Sequence, residues 1–299
     1  MTAVIIASSE PDSTFHRQAV SIGDVWRENS AADAVEHRFT GGSVENAHLV
    51  AERTVDFGCS AANWLVPAST GKPPFTAALP VRLLSPINSG PIFFAAPAAS
   101  PLKTFSELRG KRVALGVENS GMVQHFHGIL KALGLSLSDF QPVYVGVFEG
   151  GEMMAAGEVD AQFQPPIPNV HFSQILEKTP VKVLPFSNTE RQSILDHVPY
   201  YAEARIAKGS FPGHDVDTTT VAVVNIFEVH AEAEAEATFE RARLIIRHAQ
   251  DLAARNALFE GLDQLLAESG RRIIPVLAGS GALQHPAAAR AFKEAGLLA

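Results

Sequence analysis

The chain has 299 residues, 46% of them hydrophobic and 19% charged, with a formal net charge of -8. That length allows one large domain or two of ordinary size, and the composition supplies a globular core. Lysine and arginine are scattered, which excludes an electrostatic footprint for nucleic acid, and no apolar stretch nears the ~20 residues of a membrane span, so direct membrane insertion is not expected.

Ala3–Ala7 reads as a first strand, too short for the apolar core of a signal peptide. Either an export signal has been removed, or the start lies upstream, or the protein stays inside the cell. Thr14–Glu28 places Phe15, Ala19, Ile22 and Trp26 on one helical face. Val35–Phe39 is a second strand, Gly41-Gly42-Ser43 a tight turn, and Ser43 the cap of a helix over Val44–Glu52. Asp56–Ala61 is a third strand. It carries the single cysteine, Cys59, which precludes an intramolecular disulfide and reads as a buried, inert thiol. Two further strands, Val81–Pro86 and Pro91–Ala96, follow a proline-rich connector. Strands alternating with helices predict βαβ units and a mainly parallel sheet.

A linker-like Ala96–Pro101 opens a second α/β run. Thr104 and Glu107 have capping-box spacing, Arg112–Leu115 is a strand, and the loop Gly116–Gly121 feeds a helix over Met122–Leu133. Strands follow at Val143–Val147, Ala161–Phe163 and Val181–Pro185, and helices at Gly151–Ala156, Val170–Glu177 and Glu190–His197. Thr219–Ile226 is a strand rich in β-branched residues, and from Ala231 onward the pattern is almost wholly helical. The arrangement predicts two α/β lobes, residues 1–99 with 216–299 and an inserted 100–215, hinged near Pro97–Lys103 and Pro212–Thr218. Ligands of such architectures sit at strand C-termini and helix N-termini, in an inter-lobe cleft.

Candidate binding residues follow from that rule. Ser8, Ser9, Ser13 and Thr14 come after the first strand and open the first helix. They read equally as caps or as donors to a carboxylate. Gly41, Gly42, Ser43 and Asn46 form the equivalent turn at the second helix, where glycine lets backbone approach a ligand. Ser60 and Asn63 flank the end of the third strand, and Trp64 beside them reads as core. In the second run, Glu118, Asn119, Ser120 and Gly121 form a polar loop at a helix start. Gln162 and Gln164 share one side of their strand, and Thr218 stands near the second hinge. His125 and His127 lack the i, i+4 spacing of a zinc pair, and no HExxH, CxxC or G-x-S-x-G is present. Neither metal, cofactor nor catalytic motif is therefore expected.

Several blocks of sequence point further. ELRGKRVALG with its Ser-Gly loop and ALGL resembles solute receptors of type II periplasmic-binding-protein fold. FTGGSVENAHLVAERTVDFG, GEVDAQFQPPIPNVHFSQILEKTPVKVLPF, VPYYAEARIAKGSFPGHDVDTTTVAV and QHPAAARAFKEAGLL follow in an order similar to the TAXI-type solute-binding subunits of TRAP transporters. The resemblance covers most of the chain. It implies a periplasmic, non-enzymatic receptor that captures a small organic anion or amino acid, with glutamate- or 2-oxoglutarate-like carboxylates foremost, and presents it to a TRAP-type membrane permease. The chain departs from the family's pattern at Glu118 and Met122, and at the Cys59–Trp64 segment. Those departures keep open a cytosolic enzyme or sensor on the same fold, with Glu118 beside His125 as an acid–base pair.

Overall fold

The computed structural model describes residues 3–9, 11, 13–118, 120–167, 169–198 and 200–299. The apolar run at the start forms β1 (Ala3–Ala7). Helix α1 (Thr14–Glu28) begins where Ser13 Oγ accepts the His16 N–H, and it buries Ala19, Ile22, Val25 and Trp26. β2 (Ala34–Arg38), α2 (Ser43–Ala51) and β3 (Phe57–Ala61) follow. α3 (Ala62–Thr70) starts directly at the end of β3 with no side-chain cap, and it contains Pro67. The sequence gives no helix signal there, because both the cap and an uninterrupted helical pattern are missing. Two strands were expected next. Instead β4 runs unbroken over Val81–Pro97, although Pro86 and Pro91 lie within it. Proline is tolerated in a strand wherever no ladder donor is needed.

β5 (Arg112–Ala114), α4 (Gly121–Ala132), β6 (Gln141–Val143), α5 (Val147–Ala155), β7 (Ala161–Gln164), α6 (Val170–Lys178), β8 (Val181–Leu184) and α7 (Asn188–His197) continue the alternation. The expected strand Val143–Val147 is shifted toward the N-terminus, and α5 takes over at Val147. Thr104 does not make the expected capping box, because Glu107 Oε2 accepts the Lys103 N–H instead. β9 (Tyr201–Ile206), unforeseen from sequence, pairs antiparallel with β10 (Thr218–His230). The helical end comprises α8 (Ala235–Arg247), α9 (Ala249–Arg255), α10 (Leu262–Glu268), α11 (Ile274–Gly279) and α12 (Pro286–Glu294). A wide π turn at Ser269–Ile273 joins α10 to α11. None of the described helices is long and apolar enough to cross a membrane.

The chain forms two compact units, Met1–Ser89 with Val224–Ala299 and Gly90–Val223. It passes from one to the other inside β4 and returns inside β10, rather than in the proline-rich loops where hinges were expected. In unit 1 the strand order is β2-β1-β3-β10-β4, with β2, β1 and β3 parallel and β10 antiparallel to β3. Trp26, Phe57 and Phe227 pack together in its core, with ring centroids 4.9 and 5.7 Å from Trp26. In unit 2 the order is β6-β5-β7-β4, with β6, β5 and β7 parallel and β4 antiparallel to β7 and β8. There Phe94 is surrounded by Phe105, Phe126, Phe163 and Phe186. The abundant phenylalanines are largely core, as composition implied.

Candidate functional site

Both units share one local topology. A central parallel strand is flanked first by the next strand on one side and then by the third on the other: β2-β1-β3 in unit 1 and β6-β5-β7 in unit 2. Such an order reversal leaves a crevice at the strands' carboxyl ends. Three helices begin on that edge of each unit, α1, α2 and α3 in unit 1 and α4, α5 and α6 in unit 2. Each helix start offers unpaired N–H groups and the positive end of a dipole.

The edge of unit 1 is built around β1. Ser9 Oγ and Ser13 Oγ lie 2.6 Å apart, and Ser13 also accepts the His16 N–H at 3.2 Å. Thr14 is the first helical residue, and the N–H groups of Thr14 and Phe15 make no hydrogen bond among the described residues. At the second helix Gly42 adopts φ 104°, a conformation only glycine takes without strain. Its N–H donates to Thr40 Oγ1 at 3.1 Å. Glu45 curls back to accept the Gly41 N–H at 2.6 Å, and Ser43 Oγ accepts the Ala61 N–H at 3.1 Å, fixing the end of β3 to the start of α2.

Asn46 is fully buried, and its Nδ2 donates to Ser8 O at 2.6 Å and to Cys59 O at 2.7 Å. Both amide protons are thus engaged by the carboxyl ends of β1 and β3, and Thr40 Oγ1 stands 2.6 Å from Asn46 Oδ1. This geometry gives Asn46 the role of a clamp that spaces the strand ends. Ser60 is also fully buried, donates to Ala61 O at 3.3 Å, and neighbours Glu228. Asn63 is partly buried, with Oδ1 unpaired among the described residues.

On the edge of unit 2, Ser120 caps α4 through Oγ, which accepts the Val123 N–H at 3.4 Å. The N–H groups of Gly121 and Met122 make no hydrogen bond among the described residues. An added Cβ at Gly121 would meet open space. Glu118 is exposed, and Asn119 lies outside the described residues. Gln162 and Gln164 do share one side of β7: Gln164 Nε2 donates to Gln162 Oε1 at 2.7 Å, and Gln162 Nε2 donates to Val147 O at 2.5 Å. This pair ties β7 to the start of α5 and leaves Gln164 Oε1 buried without a partner among the described residues. Pro166 packs so tightly on Gly90 that a Cβ there would lie 2.4 Å from its ring. Thr218 opens β10, paired with Ile206 of β9, and is not grouped with the helix starts.

Other chemistry-bearing residues fall away from these edges. His125 is buried, its Nδ1 is 2.8 Å from the Tyr201 hydroxyl, and burial drives its pKa down to about 4. A neutral, enclosed imidazole of this kind has no basis for an acid–base partnership with the exposed Glu118. Cys59 is buried, and desolvation first, then the Glu228 charge, hold its thiol well above the ordinary range. Among the described residues no cluster of His, Cys, Asp and Glu could hold a metal ion. Sequence reasoning missed Gln18, a fully buried glutamine on α1 with neither amide heteroatom paired among the described residues, and Glu228, whose carboxylate is likewise enclosed. Neither carries a local sequence signal, because their surroundings come from elements distant in the chain.

Solved structures share this architecture. The periplasmic sulfonate-binding protein SsuA of a putative sulfonate ABC transporter from Methylobacillus flagellatus KT aligns with a TM-score of 0.59 at 16% identity, covering 99% of this chain and 96% of that one. The probable amino-acid ABC transporter extracellular-binding protein ytmK from Bacillus subtilis gives 0.52 at 12% identity, over 85% and 97% of the two chains. The BenM effector-binding domain with its effector benzoate gives 0.51 at 13% identity, over 83% and 93%. At these identities the likeness establishes the fold, an α/β fold of the type II periplasmic-binding-protein kind. A family model matches residues 6–296. On that match the chain belongs to the NMT1-like family.

Proposed function

We propose that the protein is a solute receptor that captures a small organic anion at the helix starts and passes it to a membrane permease. The observation that carries this reading is the paired topology. Each unit sets three helix N-termini along the carboxyl edge of three parallel strands, with N–H groups at the first residues of α1 and α4 that make no hydrogen bond among the described residues. Such groups stabilise negative charge through hydrogen bonds and the helix dipole together. The names of the sulfonate- and amino-acid-binding neighbours agree with a small polar solute. The sequence blocks favour a TRAP-type permease of the TAXI class and a periplasmic site of action, with Ser9, Ser13, Thr14, Ser43, Asn63, Ser120 and Gly121 as first candidates for contact.

Thermal unfolding across carboxylates, sulfonates and amino acids tests the reading, alongside mass spectrometry of small molecules released from the purified protein. At least one compound should raise the melting temperature by several degrees at saturation, as expected for a ligand that binds only the native state. No shift with any compound and no released solute would overturn the proposal. A ligand sensor is the second reading, favoured by the fold shared with an effector-binding domain. The two separate in proteoliposomes: a receptor accelerates solute uptake through its permease, and a sensor does not.

A further inference from the structure

Six large hydrophobic residues are exposed in the described chain, and three of them, Phe39, Val117 and Phe148, stand on the helix-bearing edges of the two units. Isolated exposed apolar residues are ordinary, but their concentration at a binding edge marks surface that a ligand covers. Unit 1 shows this most clearly. Phe39 directly follows β2 and is 50% exposed. Its ring meets His16, in the first turn of α1, edge to face at 5.0 Å, and His16 meets His37 in the same way at 5.4 Å. The three rings form a small aromatic wall whose outer face is Phe39.

Trp64 stands in the first turn of α3, the helix that follows β3 directly. It is only half-buried, and it makes no ring contact and no hydrogen bond among the described residues. A core indole would be covered, and its N–H would have a partner. β2 and β3 flank β1, so the strand end that precedes Phe39 and the one that leads into the helix of Trp64 lie two spacings apart, about 10 Å. That separation suits one planar ring. The β1 end between them leads to the Ser9–Ser13 hydroxyl pair and the N–H groups of Thr14 and Phe15, which make no hydrogen bond among the described residues. On α1, Gln18 is fully buried, and neither heteroatom of its amide has a partner among the described residues.

We propose that the solute taken at the edge of unit 1 is a ring-bearing organic anion, its ring set against Phe39 and Trp64 and its charge toward the start of α1. The inference rests on the receptor reading above and narrows it. A compact dicarboxylate would leave both aromatic surfaces wet, whereas an aromatic carboxylate or sulfonate covers them and gains apolar burial.

The experiment compares benzoate, nicotinate and benzenesulfonate with succinate, glutamate and ethanesulfonate by calorimetric titration and tryptophan emission. The chain has two tryptophans, and Trp26 is fully buried, so a ligand-dependent change in emission reports Trp64. At least one aromatic anion should bind tenfold or more tightly than every aliphatic one and should alter the emission. Phe39→Ala and Trp64→Ala should each weaken that anion about tenfold while leaving aliphatic binding within twofold. Trp64→Phe should keep the affinity and abolish the emission change. Equal or tighter binding of the aliphatic anions, or indifference to all three substitutions, overturns the aromatic assignment and leaves the receptor reading intact. Failure of every anion to bind overturns both.

Discussion

At the residue scale the most consequential group outside the helix starts is Glu228. It is fully buried on β10, opposite Gly58 and beside Ser60. Desolvation raises its pKa from 4.5 to about 8, with the Ser60 hydroxyl pulling weakly the other way. An acid whose native value lies above its unfolded value contributes stability that is complete below about pH 4.5. That stability drains away as pH rises through about 8, because the native state then holds a proton that the unfolded chain has lost. Within that window the slope approaches ~1.4 kcal/mol per pH unit. Glu228→Gln, which keeps the shape and removes the titration, should melt like the parent at pH 5 and well above it at pH 9. Parallel melting curves across the whole range would show that Glu228 does not titrate in this way. Glu228 was not legible in the sequence, and neither was the clamp role of Asn46. Asn46 reads as a turn residue until folding brings in Ser8 O and Cys59 O, 38 and 13 positions away. The cap at Ser13 was one of two readings the sequence left open, because a cap acts within three residues of itself, whereas Ser120 was read only as a ligand contact and also caps its helix.

The same division between local and distant causes holds at the scale of elements. α1 and β1 match their expected bounds, because a polar cap, a clean apolar face and a short β-branched run are all local signals. α3, the unbroken β4 and β9 were hidden, since each depends on neighbours that override a local proline or a missing cap. The π turn at Ser269–Ile273 is another element without a local sequence signal, and Gly270 within it lies against Leu297. A Cβ on Gly270 would lie 1.7 Å from Leu297 O, a backbone atom that cannot rotate away. Gly270→Ala should therefore destabilise the protein by about 3 kcal/mol, at the upper end of overpacking effects. In a chain ending at Gly296 the same substitution should cost little, since the clashing carbonyl is gone and alanine favours helix over glycine. Urea unfolding of the four variants in that cycle measures the coupling. Equal losses in both backgrounds would disprove the contact with Leu297 as the reason for glycine.

At the scale of the whole molecule, the two-unit plan followed from the alternating pattern, but the crossing points did not. Prolines at 97 and 101 and at 212 looked like chain breaks, whereas the chain changes unit inside two long strands. This has a consequence for folding. Unit 2 is one continuous segment, Gly90–Val223, and its sheet is closed by its own portions of those strands. Phe93–Ala95 pairs with β7, Phe94–Pro97 with β8, and Thr218–Val223 with β9. Its core is also its own, with Phe93, Met154, Phe172, Ile175 and Phe211 in one cluster and the Phe94-centred rings in another. A segment of this size with an internal core meets the usual requirements of an autonomous domain. Expressed alone, residues 90–223 should show a single cooperative thermal transition and dispersed amide resonances. The start of α4 should remain formed, because its cap, Ser120, and the strand that delivers it both lie inside the segment. Unit 1 has the opposite character, since its β3–β10 ladder joins residues 57–61 to 225–229 across the whole insertion. A segment ending at Ser89 lacks β10 and leaves that edge of β3 bare, so it should aggregate rather than fold. A molten, non-cooperative 90–223 segment would show instead that unit 2 draws its order from the rest of the chain.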